Sequence, residues 1–407
     1  MKVTIYYDWK SLKWYHLEKA LPSLSFGERE EITFVNRRKK FLPFTVSVTN
    51  EGIVGPIVGI VVNRSDGNHF SGNIKLFERL QKEMFRVGGL SVVLTEDYFY
   101  QETEQEGYCY LPSFEKWVKL KVPPIQILYN RMYRELDCQR ILDWFINKEI
   151  HFFNVNYFDK LALFLSLKEN ANLVPSLPAT ALLSSQNFYE FLSTYKSVYI
   201  KKRKSAKGKG IYSLSLYGST IILNTINKTV MFPTVEKSFS YLQNKLNLEE
   251  YIIQQTIETL KLDGKKFDLR VLAHFTNGKH TISGVGVRIA ESQQVTTHVP
   301  NGGTVGNLQQ LPININIDKL ATFISLIGKE LSYYEGTLIG EFSADIGISL
   351  DGNFYLFEIN AKPMDFDEEE IKRVGTENLI RVFYENAKFF KKESVSRKSN
   401  HISNYHS

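Results

Sequence analysis

A chain of 407 residues exceeds what one ordinary hydrophobic core holds and predicts two or three domains. Its 43% hydrophobic and 13% aromatic content excludes a largely disordered polymer and confines disorder to local segments. The formal charge of +6 is local: the run at residues 201–209 supplies six basic side chains and the tail from residue 391 adds more, which leaves the remainder net acidic.

A nucleic-acid binder would spread its basic face over a domain, so no nucleic-acid partner is expected. Cys109 and Cys138 lack the second pair that a disulfide or zinc framework needs, and both are expected as reduced thiols. The opening MKVTIYYDWKSLKW has no signal-peptide core, and no apolar stretch approaches ~20 residues. A soluble, cytoplasmic protein with no membrane partner is expected.

In chain order, residues 1–53 carry VTIYY, EITFVNRR and FTVSVT, which predict a small β-rich module. IVGIVV then reads as a buried parallel strand, and NIKLFERLQKEMFRVGG as an amphipathic helix closed by Gly88-Gly89. The strands LSVVLT and IQILYN and a helix over CQRILDWFINKE complete an α/β domain at 54–150. Tyr129, Asn130, Arg131 and Arg134 follow a strand end there, where they would either contact a ligand or lock a domain interface.

From residue 151, FFNVNYFDKLALFLSLKEN has a helix pattern, and VPSLPAT marks a boundary. Strands SVYIKK, GIYSLSLYG and STIILNT precede a helix over VEKSFSYLQNKL. The strands YIIQQTI, FDLRVLAHFT and ISGVGVRIA and a helix over IDKLATFISLIGKELSYY follow. Residues 391–407 have no period and are expected to be a disordered tail.

Two stretches carry chemistry. LIGEFSADIGISLDGNFYLFEINA is a hairpin pattern around Asp351-Gly352. With that two-residue turn, Asp345 faces Glu358, Ser343 faces Asn360, and Glu341, Asp345, Glu358 and Asn360 share one side. Facing carboxylates repel, so a positive group should sit between them. Asp345, Glu358 and Asn360 form an all-oxygen set suited to magnesium or manganese rather than zinc; the bland alternative is a solvated polar face. The second stretch, IKKRKSAKGKGI, lies between two strands with Gly208 and Gly210 at its far end. It reads either as a solvated basic turn or as a loop laying Lys207, Lys209 and backbone N–H groups over phosphate.

The order DK…VPSLPAT, YIKK…GKGI, YIIQQTIE, FDLRVL, VRIA…NGG and GEFSADIG…FEINAKP resembles the ATP-grasp superfamily of carboxylate–amine ligases. With FNVNYFDK and ILYNRMYREL included, the chain is most similar to the YheC/YheD endospore-coat-associated family. The resemblance implies an α+β ATP-grasp domain of two subdomains at 151–390, preceded by an α/β pre-ATP-grasp domain. It implies ATP and two Mg²⁺ ions, with Mn²⁺ as a substitute.

By the same resemblance, Lys160 and Lys201 reach the phosphates. Gln254, Gln255 and the backbone near Ile257 hydrogen-bond adenine. Asp268 and Arg270 belong to a D-x-R strand, and Arg270 and Arg288 steady the transferred phosphate. Asp345, Glu358 and Asn360 are the metal ligands. An acyl phosphate hydrolyses in bulk water, so a closing loop is useful, and residues 203–210 are expected to be that lid. The chain departs from the family pattern at Lys202, at Ser205-Ala206 and at His298. The implied activity joins a carboxylate to an amine, on small molecules or a peptide-like polymer, through an acyl phosphate. A spore-coat scaffold that binds nucleotide without turnover and an ATP-grasp kinase are the alternatives.

Overall fold

The computed structural model describes residues 1–19, 23–27, 30–36, 41–65, 69–100, 105–133, 141, 144, 150–154, 156–204, 210–290, 297 and 302–387. Apart from Ile141 and Trp144, the expected helix over CQRILDWFINKE lies outside these residues. So do Arg134, Cys138, Ser205, Ala206, Lys207, Gly208, Lys209, His298 and the expected tail.

Alternation of apolar and polar residues builds the first sheet. Its strands are β1 (Lys2–Asp8), β2 (Lys13–His16), β3 (Leu24–Phe26), β4 (Glu30–Phe34), β5 (Leu42–Val48) and β6 (Val54–Gly55), in the order β3-β4-β2-β1-β5-β6. A bridge from Ser25 to Ile53 curls one edge round to the other. β1 buries Val3, Ile5 and Tyr7 on one face, as a period of two requires. Tyr7, Phe26 and Phe44 surround Trp14 at centroid distances of 4.9, 5.4 and 5.0 Å. This core runs on through Ile57, Val61, Leu90 and Val92, so the β-rich module and the α/β unit pack as one.

The second sheet contains β7 (Ile57–Val61), β8 (Leu90–Leu94), β9 (Glu106–Leu111), β10 (Lys116–Lys121), β11 (Ile127–Asn130) and β12 (His151–Phe153), ordered β10-β9-β8-β7-β11-β12. IVGIVV forms β7, parallel to β8 and β11 and buried at every position, as its continuous apolar run predicts. Helix α1 (Ile74–Val87) starts under an Asn73 cap and ends at left-handed Gly88. The hairpin β9–β10 is an element the sequence pattern did not separate. Phe152 and Phe153, expected inside a helix, lie in β12 instead, because Asn154 turns left-handed at φ 60 and breaks the segment.

The third sheet holds β13 (Thr180–Leu182), β14 (Ser197–Lys202), β15 (Ile211–Tyr217), β16 (Thr220–Asn224), β17 (Thr229–Phe232) and β18 (Tyr251–Gln255), ordered β13-β18-β14-β15-β16-β17. Helices α3 (Ser185–Tyr195) and α4 (Val235–Lys245) pack on this sheet, whereas α2 (Lys160–Lys168) buries Leu163, Phe164 and Leu167 in the core of the fourth sheet. α2 begins where the Asp159 carboxylate accepts from the Leu161 and Ala162 N–H groups. α3 was not expected; its buried Phe188, Phe191 and Leu192 have helical spacing, but residues of weak helix propensity surround them.

The fourth sheet comprises β19 (Lys261–Leu262), β20 (Lys265–Thr276), β21 (Lys279–Ala290), β22 (Gly303–Gly306), β23 (Glu341–Ile348) and β24 (Phe354–Asn360). Its main path is β22-β21-β20-β23-β24, with β19 pairing β20. Helix α5 (Ile317–Tyr334) covers it with Leu320, Ile324, Ile327 and Leu331, matching the expected helix end to end. Helix α6 (Glu369–Asn386), also not expected, packs Leu379, Ile380 and Phe383 against Val58, Ile60 and Tyr129 of the second sheet. The molecule is α+β, and its third and fourth sheets face each other across a cleft.

Candidate active site

The cleft, a cavity of about 210 Å³, is lined by β14, β18, β20, β23 and β24. Lys201, Gln254, Gln255, Ile257, Asp268, Arg270, Asp345, Glu358 and Asn360 all reach it. Most of the residues singled out from the sequence are thus brought together.

The register is the first cause. Asp345 pairs with Glu358 and Ser343 with Asn360, as expected, but by a different route. Ser349 and Asn353 close a three-residue turn, Leu350-Asp351-Gly352, which moves the ladder by one position. A bulge beside Ile346 leaves Phe357 unpaired and moves it back. Phe357 and Glu358 consequently both reach the cleft. Gly347 makes room for the ring, since a Cβ there would lie 2.2 Å from Phe357 Cζ.

Charge balance is the second. Arg270 grips Asp345 with two hydrogen bonds, Nε to Oδ1 at 2.8 Å and a terminal nitrogen to Oδ2 at 2.9 Å. Lys160 Nζ lies 3.4 Å from Glu358 Oε1. The positive groups that the facing carboxylates require therefore flank the pair rather than separate it. Lys201 Nζ donates to Gln254 Oε1 at 2.6 Å and to the Phe357 carbonyl at 3.4 Å. Burial lowers its pKa to about 8, with the Lys160 charge acting in the same direction against Glu358, Asp345 and Asp268. Burial, with Asp345 nearby, raises the Asp268 carboxyl to about 7. Its Oδ2 accepts from the Thr297 hydroxyl, and its Oδ1 is buried without a hydrogen-bond partner among the described residues.

Two of the expected roles meet a different geometry. Arg288 lies across the ladder from Asp268, but its guanidinium does not line the cleft: Glu368 holds it at 2.6 and 3.0 Å. The side chains of the adenine-hinge glutamines are already engaged, Gln254 with Lys201 and Thr180, and Gln255 with the Ala179 N–H. Of the hinge, the backbone about Ile257 remains at the cleft wall.

The basic run separates residue by residue. Lys201 faces inward and is buried, whereas Lys202 points outward to Glu250 at 2.8 Å. Arg203, expected as the start of a lid, is an anchor instead: it pairs with Asp159 at 3.0 Å, and its N–H donates to the Glu250 carbonyl. Gly210 ends the segment at φ 71 against Lys202 and Tyr251. Of the residues after the second-sheet strand, Arg131 forms an interface lock with Glu341 at 2.9 Å and with the Pro363 carbonyl at 2.8 Å.

Lys266, Lys362, Tyr157 and Tyr199 also line the cleft. Lys266 shares a strand face with Asp268 and Arg270, and Lys362 follows Asn360 by two residues, so alternation could have found both. No sequence signal marks Tyr157 or Tyr199. Among the described residues no three His, Cys, Asp or Glu side chains gather into a cage. Asp345, Glu358 and the Asn360 amide, all oxygen donors on one face, suit an ion that takes few protein ligands and completes its shell with water and phosphate.

A curated relative, the endospore coat-associated protein YheD of Bacillus subtilis, is 27% identical over 336 residues, 76% of this chain and 73% of its own. Solved structures with a similar fold include D-alanyl-alanine synthetase A of Vibrio cholerae, at 12% identity and a TM-score of 0.44, covering 82% of this chain and 98% of that one. Another is the VanG D-Ala:D-Ser ligase of Enterococcus faecalis, at 9% identity and a TM-score of 0.47, covering 82% and 99%. The profile of the YheC/D-like ATP-grasp proteins matches residues 149–390, more than half the chain and the whole of this cleft, and the protein belongs to that family.

Proposed function

We propose that the protein is an ATP-dependent ligase that joins a carboxylate to an amine, on a small-molecule or peptide-like substrate. The observation that carries this reading is the ordered cleft charge, with Lys160, Lys201 and Arg270 facing Asp268, Asp345, Glu358 and Asn360. A carboxylate oxygen forms a bond to the γ-phosphorus of ATP as the bond to ADP breaks. The amine nitrogen then bonds to the acyl carbon, phosphate leaves with the C–O electron pair, and the nitrogen loses a proton.

Negative charge approaches negative charge in the first step. Lys160, Lys201 and Arg270 offset it, and buried cations do so more strongly than solvated ones. Asp345, Glu358 and Asn360 would hold Mg²⁺, which neutralises phosphate charge when bound. Arg270 and Lys160, which neutralise Asp345 and Glu358, are the cations that stand beside those ligands. Gln255 and the backbone at Ile257 bound the adenine end.

The test incubates the protein with ATP, Mg²⁺ and pooled carboxylates and amines, follows ADP and phosphate release, and identifies new amides by mass. Release no faster than in Glu358→Gln with every pool would remove the ligase reading. Retained ATP binding in that case would favour a nucleotide-binding scaffold, in keeping with the name of the Bacillus relative. A product that keeps the phosphate would identify a kinase.

A further inference from the structure

Behind Lys201 runs a buried chain of three polar groups. The Thr180 hydroxyl donates to the Pro178 carbonyl at 2.9 Å. Gln254 Nε2 donates to that same hydroxyl oxygen at 3.0 Å, and Gln254 Oε1 accepts from Lys201 Nζ at 2.6 Å. Thr180, Gln254 and Lys201 are 4%, 1% and 9% exposed, so water does not compete for these bonds.

Chemistry at both ends fixes the orientation of the Gln254 amide. A carbonyl can only accept, so Thr180 spends its one proton on Pro178 and meets Gln254 as an acceptor. An ammonium can only donate, so Lys201 requires the amide oxygen. A flipped amide would set donor against donor at Lys201 and acceptor against acceptor at Thr180. The Thr180–Gln254 pair lies directly across the β13–β18 ladder, and Tyr199–Gln254 across β14–β18, which holds the chain rigidly in the sheet.

We propose that Thr180 and Gln254 are positioning residues for Lys201: the Thr180 hydroxyl orients the Gln254 amide, and the amide holds the ammonium at the phosphate-facing wall of the cleft. The neutral amide does this without cancelling the lysine charge, as a carboxylate at 254 would. This assigns VPSLPAT, otherwise a domain boundary, a part in nucleotide binding, and it rests on the reading of the cleft as an ATP site.

The experiment measures MgATP binding to the full chain by calorimetry, alongside thermal unfolding. Thr180→Val keeps the shape and removes the hydroxyl; it should weaken ATP binding roughly tenfold, the loss of about one buried hydrogen bond. Thr180→Ser should restore wild-type binding. In a double-mutant cycle, Thr180→Val should add little to the defect of Gln254→Leu, because both act through the same contact. Wild-type protein that binds no ATP would overturn the reading of the cleft itself. Wild-type protein that binds ATP, with Thr180→Val binding equally well or Thr180→Ser no better than Thr180→Val, would overturn the positioning role alone. A Gln254→Leu variant that fails to fold leaves the Thr180 pair of variants to decide the question.

Discussion

Glu341 and Asp345 lie on one strand and one face, four positions apart, and the fold uses them in opposite ways. Glu341 is sealed beneath the second sheet. Its carboxylate accepts from the Tyr129 hydroxyl and from Arg131, and His274 Nε2 lies 3.4 Å away. Asp345 opens on the cleft, with Arg270 as its partner. A carboxylate on the same face is thus a structural bolt where another layer covers it and a candidate ligand where none does. Cover, rather than charge, separates the two.

The largest effect is expected where cover is complete. Glu341→Leu strands Arg131 in the interior and should destabilise the protein by about 3–5 kcal/mol, read by chemical unfolding. ATP binding per folded molecule should change little; a variant of wild-type stability would show that the lock contributes nothing. Burial tends to raise the Glu341 pKa, but the His274 hydrogen bond and the Arg131 charge outweigh it and hold the group below its usual range. Its stabilisation is therefore fully present above the unfolded glutamate pKa, about 4.3, and fades as the pH falls through the lower folded value. Glu341→Gln should flatten that acid limb, and an unchanged limb would assign it to other carboxyls.

Glu358→Gln tests the open end of the hairpin. ATP-dependent phosphate release should fall by about 10²–10³-fold, while the melting temperature stays close to that of the wild type. A large loss of stability instead would place Glu358 with Glu341 as a structural residue. Next in size is Gly347→Ala, whose Cβ collides with Phe357 and should cost about 1–3 kcal/mol. Because the Phe357 bulge sets the position of Glu358, ATP affinity should fall with stability; a fall in stability alone would separate the bulge from the site. Smallest is Lys202→Ala. Lys202 meets Glu250 at the surface, so neither melting temperature nor ATP affinity should move, and a clear loss of affinity would give Lys202 a part in the phosphate site.

The carboxylate hairpin was legible because a period of two places side chains on faces whatever the rest of the chain does. Even so, Asp345 and Glu358 met for a reason the pattern did not contain: the longer turn and the bulge at Phe357 shift the register by one each, in opposite senses. Arg203 shows the limit in the basic run. Composition makes it one cation among six, but Asp159, far away in sequence, selects it as an anchor. Arg288 is the same case, since Glu368 at the start of α6 draws its guanidinium off the cleft. Neither α3 nor α6 stood out, because α3 mixes weak helix formers into its apolar spacing and α6 is stabilised mainly by packing across two sheets.

By itself the sequence determined the family, the α+β class, and the strands that carry Lys201, Asp268, Arg270, Asp345, Glu358 and Asn360, because periodicity and motif spacing are local properties of the chain. Only the tertiary structure decided which cation meets which carboxylate, that Gln254 turns its amide to Lys201, and that Glu341 is closed off while Asp345 stays open. Those choices depend on layers contributed by residues far apart in sequence, where burial and distance set the strength of every charge.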